Sequence, residues 1–226
     1  IPVTSGATTI NKLCGSGMKA AMLANDLIKA GTNNIMVAGG MESMTNSPYL
    51  LMKGRTGMRM GHGEIQDSMF TDGLEDAASG RSMGSFAQEV ADRYQLTREE
   101  MDEFAIQSLR RAQSARDSSS LKAEIVPITM ATRTGEVYIP DDEQPHKADI
   151  SRIPKLRPAF KEDGTVTAAN SSSISDGASA LILTSRKVIL EKKLNPMAKF
   201  IAHSTNSTEP SEFTLAPIGA IQKVMQ

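Results

Sequence analysis

Cys14 is the only cysteine of the chain, and it stands immediately before a Gly-Ser-Gly step, residues 15–17, that opens a long apolar run. The thiolate is the reactive form of cysteine, and the unpaired N–H groups of a helix N-terminus stabilise its negative charge. The two glycines leave the adjacent backbone uncovered, so a substrate carbonyl can approach the sulfur and find N–H donors as an oxyanion hole. The pattern fits a nucleophile, and it also fits a small buried side chain that fills a turn.

The other reactive or metal-binding side chains do not extend this site into a metal centre. His62 and His203 lack ligand spacing with Cys14 or with each other, so we expect no metal. One cysteine forms no internal disulfide, and no apolar run is long enough to span a bilayer. We therefore expect a cytoplasmic protein. The 25 basic and 26 acidic residues are dispersed along the chain, which argues against nucleic-acid and membrane partners.

The residues around Cys14 predict an α/β arrangement. Residues 1–10 have the Val, Thr and Ile content of a strand, and residues 18–30 predict a helix with apolar side chains on nearly every face. The apolar run at residues 35–38 predicts a second, buried, parallel strand that ends at a Gly-Gly step. We therefore predict one β-α-β unit whose helix is buried on all sides.

A different pattern occupies residues 42–170. An apolar stripe over residues 86–94 predicts one amphipathic helix, and a capping box at residues 97–100 opens a second. The segments "EIVPITM" and "GEVYIP" predict short strands between proline-punctuated turns. A buried strand is predicted again at residues 180–183, another at 197–205, and a helix from Pro217. This organisation predicts an α/β core interrupted by an inserted, loop-rich lobe.

The segment "NKLCGSGMKA" around Cys14 resembles the nucleophilic-cysteine motif of the thiolases, enzymes that condense or cleave acyl groups on coenzyme A. Further segments resemble the same family in the same order: "VAGGMESMTNSPYLL", "DGLEDA", "MGSFAQEVADRYQLTREEMDEFAIQS" and "KLRPAFKEDGTVTAANSSSISDGASALIL". The resemblance covers essentially the whole chain. It implies an α/β fold of the thiolase type, with a layered α/β/α core and an inserted loop-rich lobe, incompletely represented.

The resemblance also implies domains and site residues. It assigns residues 1–41 and 171–194 to an N-terminal core domain, 42–170 to a loop domain that binds coenzyme A (CoA), and 195–226 to the start of a C-terminal domain. Cys14 would take the acyl group as a thioester. The positions that match the pantetheine tunnel of the family are Leu74, Met83, Phe160, Ala168, Ser172 and Ile174. An apolar slot suits the pantetheine arm, and a serine hydroxyl can bond its amides. Ordinary packing of Met83 and Phe160, and a plain polar turn at Ser172, remain alternatives.

Two further segments bear on CoA and on assembly. His146, followed by Lys147, stands where an arginine of the family usually packs against the CoA adenine; a solvated basic pair is the alternative. Residues 53–69 resemble the protruding loop through which biosynthetic-type thiolases tetramerise, and the alternative is a flexible surface loop. The resemblance implies a homo-oligomer, a dimer or tetramer, that uses acetyl-CoA or another acyl-CoA and CoA as substrates and products, with no separate cofactor. It favours short acyl chains.

Three family motifs are not found in these 226 residues: the Gly-His-Pro histidine that activates the nucleophile, the Cys-x-Gly second cysteine, and the Asn-Glu-Ala segment. The chain also begins without an initiating methionine. We therefore expect an internal fragment of a longer acetyl-CoA C-acetyltransferase-like protein. The fragment alone should have little or no acyl-transfer activity and poor stability. A non-catalytic protein or fragment that keeps the fold to bind acyl-CoA or a partner subunit is the alternative.

Overall fold

The computed structural model describes residues 1–226 as two compact units, Ile1–Ser82 with Ile174–Gln226, and Met83–Ser173. The helices are α1 (Ser16–Lys29), α2 (Met83–Arg93), α3 (Arg98–Asp117), α4 (Glu143–Lys147), α5 (Arg186–Lys192) and α6 (Ala216–Val224). The strands are β1 (Ile35–Ser43), β2 (Tyr49–Leu50), β3 (Gln66–Asp67), β4 (Ile128–Thr132), β5 (Gly135–Ile139) and β6 (Asp176–Thr184). None of the helices combines the length and apolar character that a membrane span requires. The assignment of residues to thiolase domains stays a prediction.

The sheet of the first unit consists of β1 and β6, paired antiparallel from Ile35↔Thr184 to Ser43↔Asp176. The strand predicted after α1 therefore exists, but its neighbour is β6 and not a parallel strand from residues 1–10. Those first residues form no ladder and are almost entirely exposed. Their strand-like composition reflects the fit of such side chains to a half-buried sheet surface, and no strand lies beside them here. The predicted β-α-β unit is wrong for this reason.

Helix α1 is buried on one face only. Ala21 and Ala24 pack with Ala38 of β1 into the core of the unit, whereas the Met18 side chain is 75% exposed. Strand β6 forms where the sequence predicts it, but none of its residues is buried, and both Leu181 (58%) and Ile182 (77%) are exposed. The expected burial of both elements is wrong. An apolar sequence predicts what an element can bury, but α1 finds a packing partner on one face, and in β6 it is Leu183 that packs against the same core.

The strand predicted at residues 197–205 is absent, while the helix predicted from Pro217 is confirmed as α6. Side-chain hydrogen bonds attach the end of this stretch to that helix: Lys223 Nζ donates to the carbonyl of Thr205 at 3.3 Å, and Nδ2 of the next residue, Asn206, donates to the carbonyl of Ala216 at 3.1 Å. These bonds satisfy polar groups of the stretch without a strand partner.

In the second unit the local predictions are confirmed. Helix α2 buries Phe86, Val90 and Ala91. Helix α3 begins after Thr97, whose hydroxyl accepts from the N–H of Glu100 while the Glu100 carboxylate accepts from the N–H of Thr97, a complete capping box. Strands β4 and β5 pair as a hairpin from Ile128↔Ile139 to Thr132↔Gly135.

Candidate active site

Cys14 is exposed in a tight turn immediately before α1. Leu13 takes a left-handed backbone conformation, with φ +48°, and its N–H donates to Asn11 Oδ1 at 2.8 Å. The Ser16 hydroxyl accepts from the N–H of Lys12 at 2.8 Å and donates to the carbonyl of Leu13 at 2.7 Å. These bonds close the turn with side chains other than the cysteine, which leaves the sulfur free to meet a substrate.

The N-terminus of α1 offers uncovered hydrogen-bond donors next to this sulfur. Gly15 at the N-cap has no side chain to cap the helix, and the first turn contains no acidic residue. The N–H groups of Gly17 and Met18 and the sulfur of Cys14 have no hydrogen-bond partner. Such N–H groups, together with the helix dipole, favour negative charge. The predicted position of Cys14 at a helix N-terminus is therefore observed, while its role as a nucleophile stays a prediction.

Two glycines bring the first turn of α1 against the end of β1. A Cβ added to Gly40 would lie 3.0 Å from the Cα of Gly17, and a Cβ added to Gly17 would lie 3.4 Å from the backbone nitrogen of Gly40. Side chains at these positions would push the helix and the strand apart. The close backbone contact explains why the Gly-Gly step follows the buried part of β1, and it fixes where the Cys14 turn sits on the sheet.

Leu74 and Ile174 are the other predicted site residues in the first unit. Leu74 is half-buried at the end of a π-helical turn, Phe70–Leu74, and Ile174 is 58% exposed shortly before β6. The chain after Leu74 is fixed by Asp76, whose carboxylate accepts from the hydroxyl of Ser79 at 2.6 Å and from its N–H at 2.8 Å. The Ser79 hydroxyl, more than any other group, lowers the pKa of Asp76.

The second unit contains an open cleft of about 1020 Å³, bounded by α3 and by residues 142–156 and 168–173. Ala168 and Ser172, both predicted to line the pantetheine tunnel, lie in its wall. Apolar residues of α3, among them Phe104 and Leu109, line the same cleft. The combination of apolar wall and serine hydroxyls suits a chain that contains amides.

Met83, Phe160 and His146 do not line this cleft. Met83 is half-buried at the start of α2. The ring of Phe160 packs onto Gly84 so closely that a Cβ on Gly84 would overlap it. The structure therefore brings together two of the five residues predicted for the CoA site in this unit.

A polar network ties both loops of the cleft to the start of α3, and sequence reasoning did not identify its members. Arg98 Nε donates to Asp102 Oδ2 at 2.6 Å, and its NH2 donates to the carbonyls of Ile153 at 3.0 Å and Leu156 at 2.9 Å. Asn170 Nδ2 donates to the other Asp102 oxygen at 3.1 Å. The Arg98 and Asp102 spacing signals only a surface pair within one helix, so the sequence holds no indication of the long-range partners.

Replacing Asp102 by Asn should lower the free energy of unfolding by about 2 kcal/mol, because Asp102 is 4% exposed and accepts from two donors, of which one is charged. Glu103→Gln is the matched control: this exposed neighbour lies 3.9 Å from Arg110, and its loss should cost less than about 0.5 kcal/mol. Urea unfolding of both variants measures the difference. Equal stability of the two variants would contradict the role of the network.

The loop that carries Phe160 is held to α2 by charge and by a buried amide. Lys161 Nζ donates to Asp92 Oδ2 at 2.9 Å, and Gln88, 3% exposed, donates to Asp92 Oδ1 at 2.8 Å. Gln88 Oε1 accepts from the N–H of Val166 at 3.0 Å. The hydrogen bond from Lys161 lowers the pKa of Asp92, and the same bond raises the pKa of Lys161.

Stability should therefore depend on this pair between two pH limits. The contribution of Asp92 is present above its ordinary pKa of 3.8 and is lost as the pH falls through the lower folded value. The contribution of Lys161 is present below its ordinary pKa of 10.5 and is lost as the pH rises through the higher pKa of the folded state.

We expect Asp92→Asn to lower the melting temperature at neutral pH and to match the unaltered protein in strong acid. Asp163→Asn is the control, since Asp163 is 3.8 Å from Lys161 and 84% exposed. A deficit of Asp92→Asn that persists unchanged in acid would argue against the pair.

His146 and Lys147 lie on α4. Lys147 lines the cleft and donates to Glu143 at 2.6 Å, whereas His146 Nδ1 lies 3.3 Å from NH1 of Arg116 at the end of α3. These two neighbouring residues thus have different partners: Lys147 bonds to Glu143 on the same helix, and His146 contacts Arg116 of α3. The predicted contact of His146 with CoA stays a prediction.

Residues 53–69 extend from a short ladder in which Tyr49 pairs with Asp67 and Leu50 with Gln66. Most of the loop is exposed, including Met60 at 97%. A loop whose ends are joined by this ladder and whose middle is exposed is compatible with a protruding loop.

Comparison with protein families identifies residues 1–187 as matching the profile described as "Thiolase, N-terminal domain". Among curated proteins, acetyl-CoA acetyltransferase 1 of Arabidopsis thaliana is 45% identical over 229 residues, which is all of this chain and 55% of that protein. A probable acetyl-CoA acyltransferase of Staphylococcus aureus (strain COL) is 40% identical over 228 residues, all of this chain and 58% of that protein. The chain thus spans a little over half the length of these relatives.

Comparison with solved structures also finds thiolases. An acetyl-CoA acetyltransferase from Syntrophomonas wolfei superposes with a TM-score of 0.92 at 39% identity, over 99% of this chain and 56% of that one. A thiolase from Ascaris suum in complex with coenzyme A superposes with a TM-score of 0.89 at 36% identity, over 99% of this chain and 57% of that one. The backbone described above is therefore an α/β thiolase-fold backbone.

Proposed function

Because this chain belongs to the thiolase family, we propose that it provides the acyl-accepting cysteine and part of the CoA site of an acetyl-CoA C-acetyltransferase. One observation carries the proposal: Cys14 is exposed at the N-terminus of α1, beside N–H groups of Gly17 and Met18 that have no partner. A nucleophile and hydrogen-bond donors for a developing oxyanion are the two parts that acyl transfer requires in one place.

In the first half-reaction the Cys14 thiolate attacks the carbonyl carbon of acetyl-CoA. The carbon–sulfur bond to CoA then breaks, CoA leaves as a thiol after gaining a proton, and Cys14 carries the acetyl group as a thioester. The proton of Cys14 passes to a general base, a role that the family resemblance gives to the histidine of a Gly-His-Pro motif. General-base assistance of this kind contributes roughly a hundred- to ten-thousand-fold in rate.

In the second half-reaction a second acetyl-CoA gives a proton from its methyl carbon to a base, a role that the family resemblance gives to the cysteine of a Cys-x-Gly motif. The resulting carbanion attacks the thioester carbonyl. The bond to the Cys14 sulfur breaks, which releases acetoacetyl-CoA and regenerates the thiolate. Thiolysis of a 3-ketoacyl-CoA is the same sequence in reverse, with CoA as the attacking thiol. The chemistry uses CoA as substrate and product and requires no separate cofactor.

The second unit supplies surfaces that support the binding part of the proposal. Ala168 and Ser172 line a cleft that suits the pantetheine arm, and Arg152, whose guanidinium is of a type that binds phosphate, lines the same cleft. Leu74, Met83, Phe160 and Ile174 are further CoA contacts that we propose from the family resemblance alone. We further propose short acyl chains, a cytoplasmic location and homotetramers formed through residues 53–69.

Initial-rate kinetics of the full-length gene product test this function. With acetoacetyl-CoA and CoA both varied, a thioester mechanism predicts parallel double-reciprocal lines, because one product leaves before the second substrate reacts. Longer 3-ketoacyl-CoA substrates should react with lower kcat/KM. A protein that binds CoA tightly but shows no thiolysis would support the non-catalytic alternative and contradict the proposal.

A further inference from the structure

The residue directly before Cys14 has a backbone conformation that requires an explanation. Leu13 lies at φ +48°, in the left-handed region, where the Cβ of a residue other than glycine comes too close to a carbonyl oxygen. Leu13 is also 61% exposed, so packing does not hold it there. Such a conformation persists where the surrounding structure enforces it, and it is found preferentially at functional sites. Hydrogen bonds of the turn must therefore hold Leu13.

Two side chains bond to the backbone polar groups of Leu13. Asn11 Oδ1 accepts from its N–H at 2.8 Å, and the Ser16 hydroxyl donates to its carbonyl at 2.7 Å. The same hydroxyl accepts from the N–H of Lys12 at 2.8 Å. A single oxygen atom of Ser16 thus joins the peptide group before Lys12 to the peptide group between Leu13 and Cys14.

The bond from Ser16 to Leu13 also determines where Cys14 lies. The carbonyl of Leu13 belongs to the same planar peptide group as the N–H of Cys14, so a bond that fixes this oxygen fixes the orientation of the whole group. The helix that follows is held independently, because Gly17 packs against Gly40 at the end of β1. The Ser16 hydroxyl therefore links the Cys14 turn to a helix whose position is already fixed.

The hydroxyl of Ser16 is committed to this turn. Its one proton is donated to the carbonyl of Leu13, so in this arrangement it has none to donate to a substrate. It does not cap α1 either, since the N-cap residue is Gly15 and no side chain caps the helix. What the two bonds of this hydroxyl hold is the backbone on either side of Leu13.

We infer that Ser16 is a positioning residue for acyl transfer: its hydroxyl holds Leu13 in the left-handed conformation and thereby sets the position of the Cys14 sulfur. The inference rests on the proposed function, because it takes Cys14 as the acyl acceptor. It follows that Ser16 acts on the chemical step and not on the binding of CoA.

Kinetics and calorimetry of the full-length protein test the effect on reaction. Ser16→Ala should lower kcat for thiolysis of acetoacetyl-CoA by roughly 10- to 100-fold, the loss that displacement of a reacting group by about 1 Å produces. The affinity for CoA, measured by calorimetric titration, should be unchanged. Ser16→Thr keeps a hydroxyl at the same position and should restore most of kcat.

Ser185→Ala is the matched control. The Ser185 hydroxyl accepts from the N–H of Val188 at 3.4 Å at the start of α5, so this variant also removes a serine hydroxyl at the beginning of a helix in the same unit. It leaves the Cys14 turn intact, and its kcat should equal that of the unaltered protein.

Crystal structures of the full-length protein and its Ser16→Ala variant test the geometry apart from activity. We expect Leu13 to leave the left-handed region in the variant and the Cys14 sulfur to move with it. An unchanged turn in Ser16→Ala, a kcat within twofold of the unaltered protein, a Ser16→Thr variant as impaired as Ser16→Ala, or an equal loss in Ser185→Ala would overturn the inference.

The two proposals can fail separately. An active enzyme whose kcat and turn are unaffected by Ser16→Ala contradicts only this inference. An unaltered protein that shows no thiolysis, but whose turn rearranges in Ser16→Ala, contradicts only the proposed function.

Discussion

Replacing Cys14 by Ser in the full-length protein is expected to reduce acetyl transfer by on the order of 10³-fold or more, because the first half-reaction depends on a thiolate. Serine has nearly the same size and keeps a hydrogen-bonding group, and Cys14 is exposed and makes no hydrogen bond of its own. The variant should therefore keep the fold and the CoA affinity of the unaltered protein. The loss should appear in kcat and not in binding.

Ser5→Ala is a suitable comparison, since Ser5 is also exposed in the first unit and makes only a local backbone turn with Pro2. We expect its activity to be unchanged. Thiolysis by the Cys14→Ser variant at a rate within tenfold of the unaltered protein would exclude a Cys14 thioester as the intermediate.

Replacing Gly39 by Ala is expected to lower the free energy of unfolding by about 3 kcal/mol, at the upper end of what overpacking a close-packed site costs. Gly39 lies opposite Ala180 in the β1–β6 ladder. An added Cβ would meet the carbonyl oxygen of Ser179 within contact distance and would lie 3.2 Å from the Cα of Ala180. These are backbone atoms, so the two strands must separate to admit it. No side chain can rotate away instead.

Gly177→Ala is the matched control in the same ladder. Gly177 lies opposite Glu42, and a Cβ there would have no atom within 4 Å. Its effect on urea unfolding should be small and should differ from that of Gly39→Ala by at least about 2 kcal/mol. Because Gly40 holds the first turn of α1, we also expect Gly39→Ala to reduce acetyl transfer. Equal stabilities of the two variants would show that the close approach at Gly39 has no energetic consequence.

The sequence predicts those features whose causes are local. The start of α3 depends on Thr97 and Glu100, three residues apart, and both capping bonds are present. The position of Cys14 at a helix N-terminus follows from the glycines and the apolar run that come after it. The hairpin of β4 and β5 likewise joins neighbouring segments.

Features that depend on distant residues could not be predicted in this way. The strand content of residues 1–10 cannot form a strand without a neighbour, and the all-round apolar character of α1 does not specify how many faces are covered. The bond of Asn170 to Asp102 spans 68 residues. The contact of His146 Nδ1 with NH1 of Arg116 spans 30 residues, and no spacing rule indicates either of them.

The most direct test of the account is mass spectrometry of the full-length protein, quenched with acid during reaction with acetyl-CoA in the absence of an acyl acceptor. Trypsin should release residues 13–19, cut after Lys12 and Lys19, with Cys14 as the only thiol. We expect an acetyl group on that peptide, which CoA removes when it is added before the quench. An unmodified peptide from a protein that turns over acetyl-CoA would contradict it.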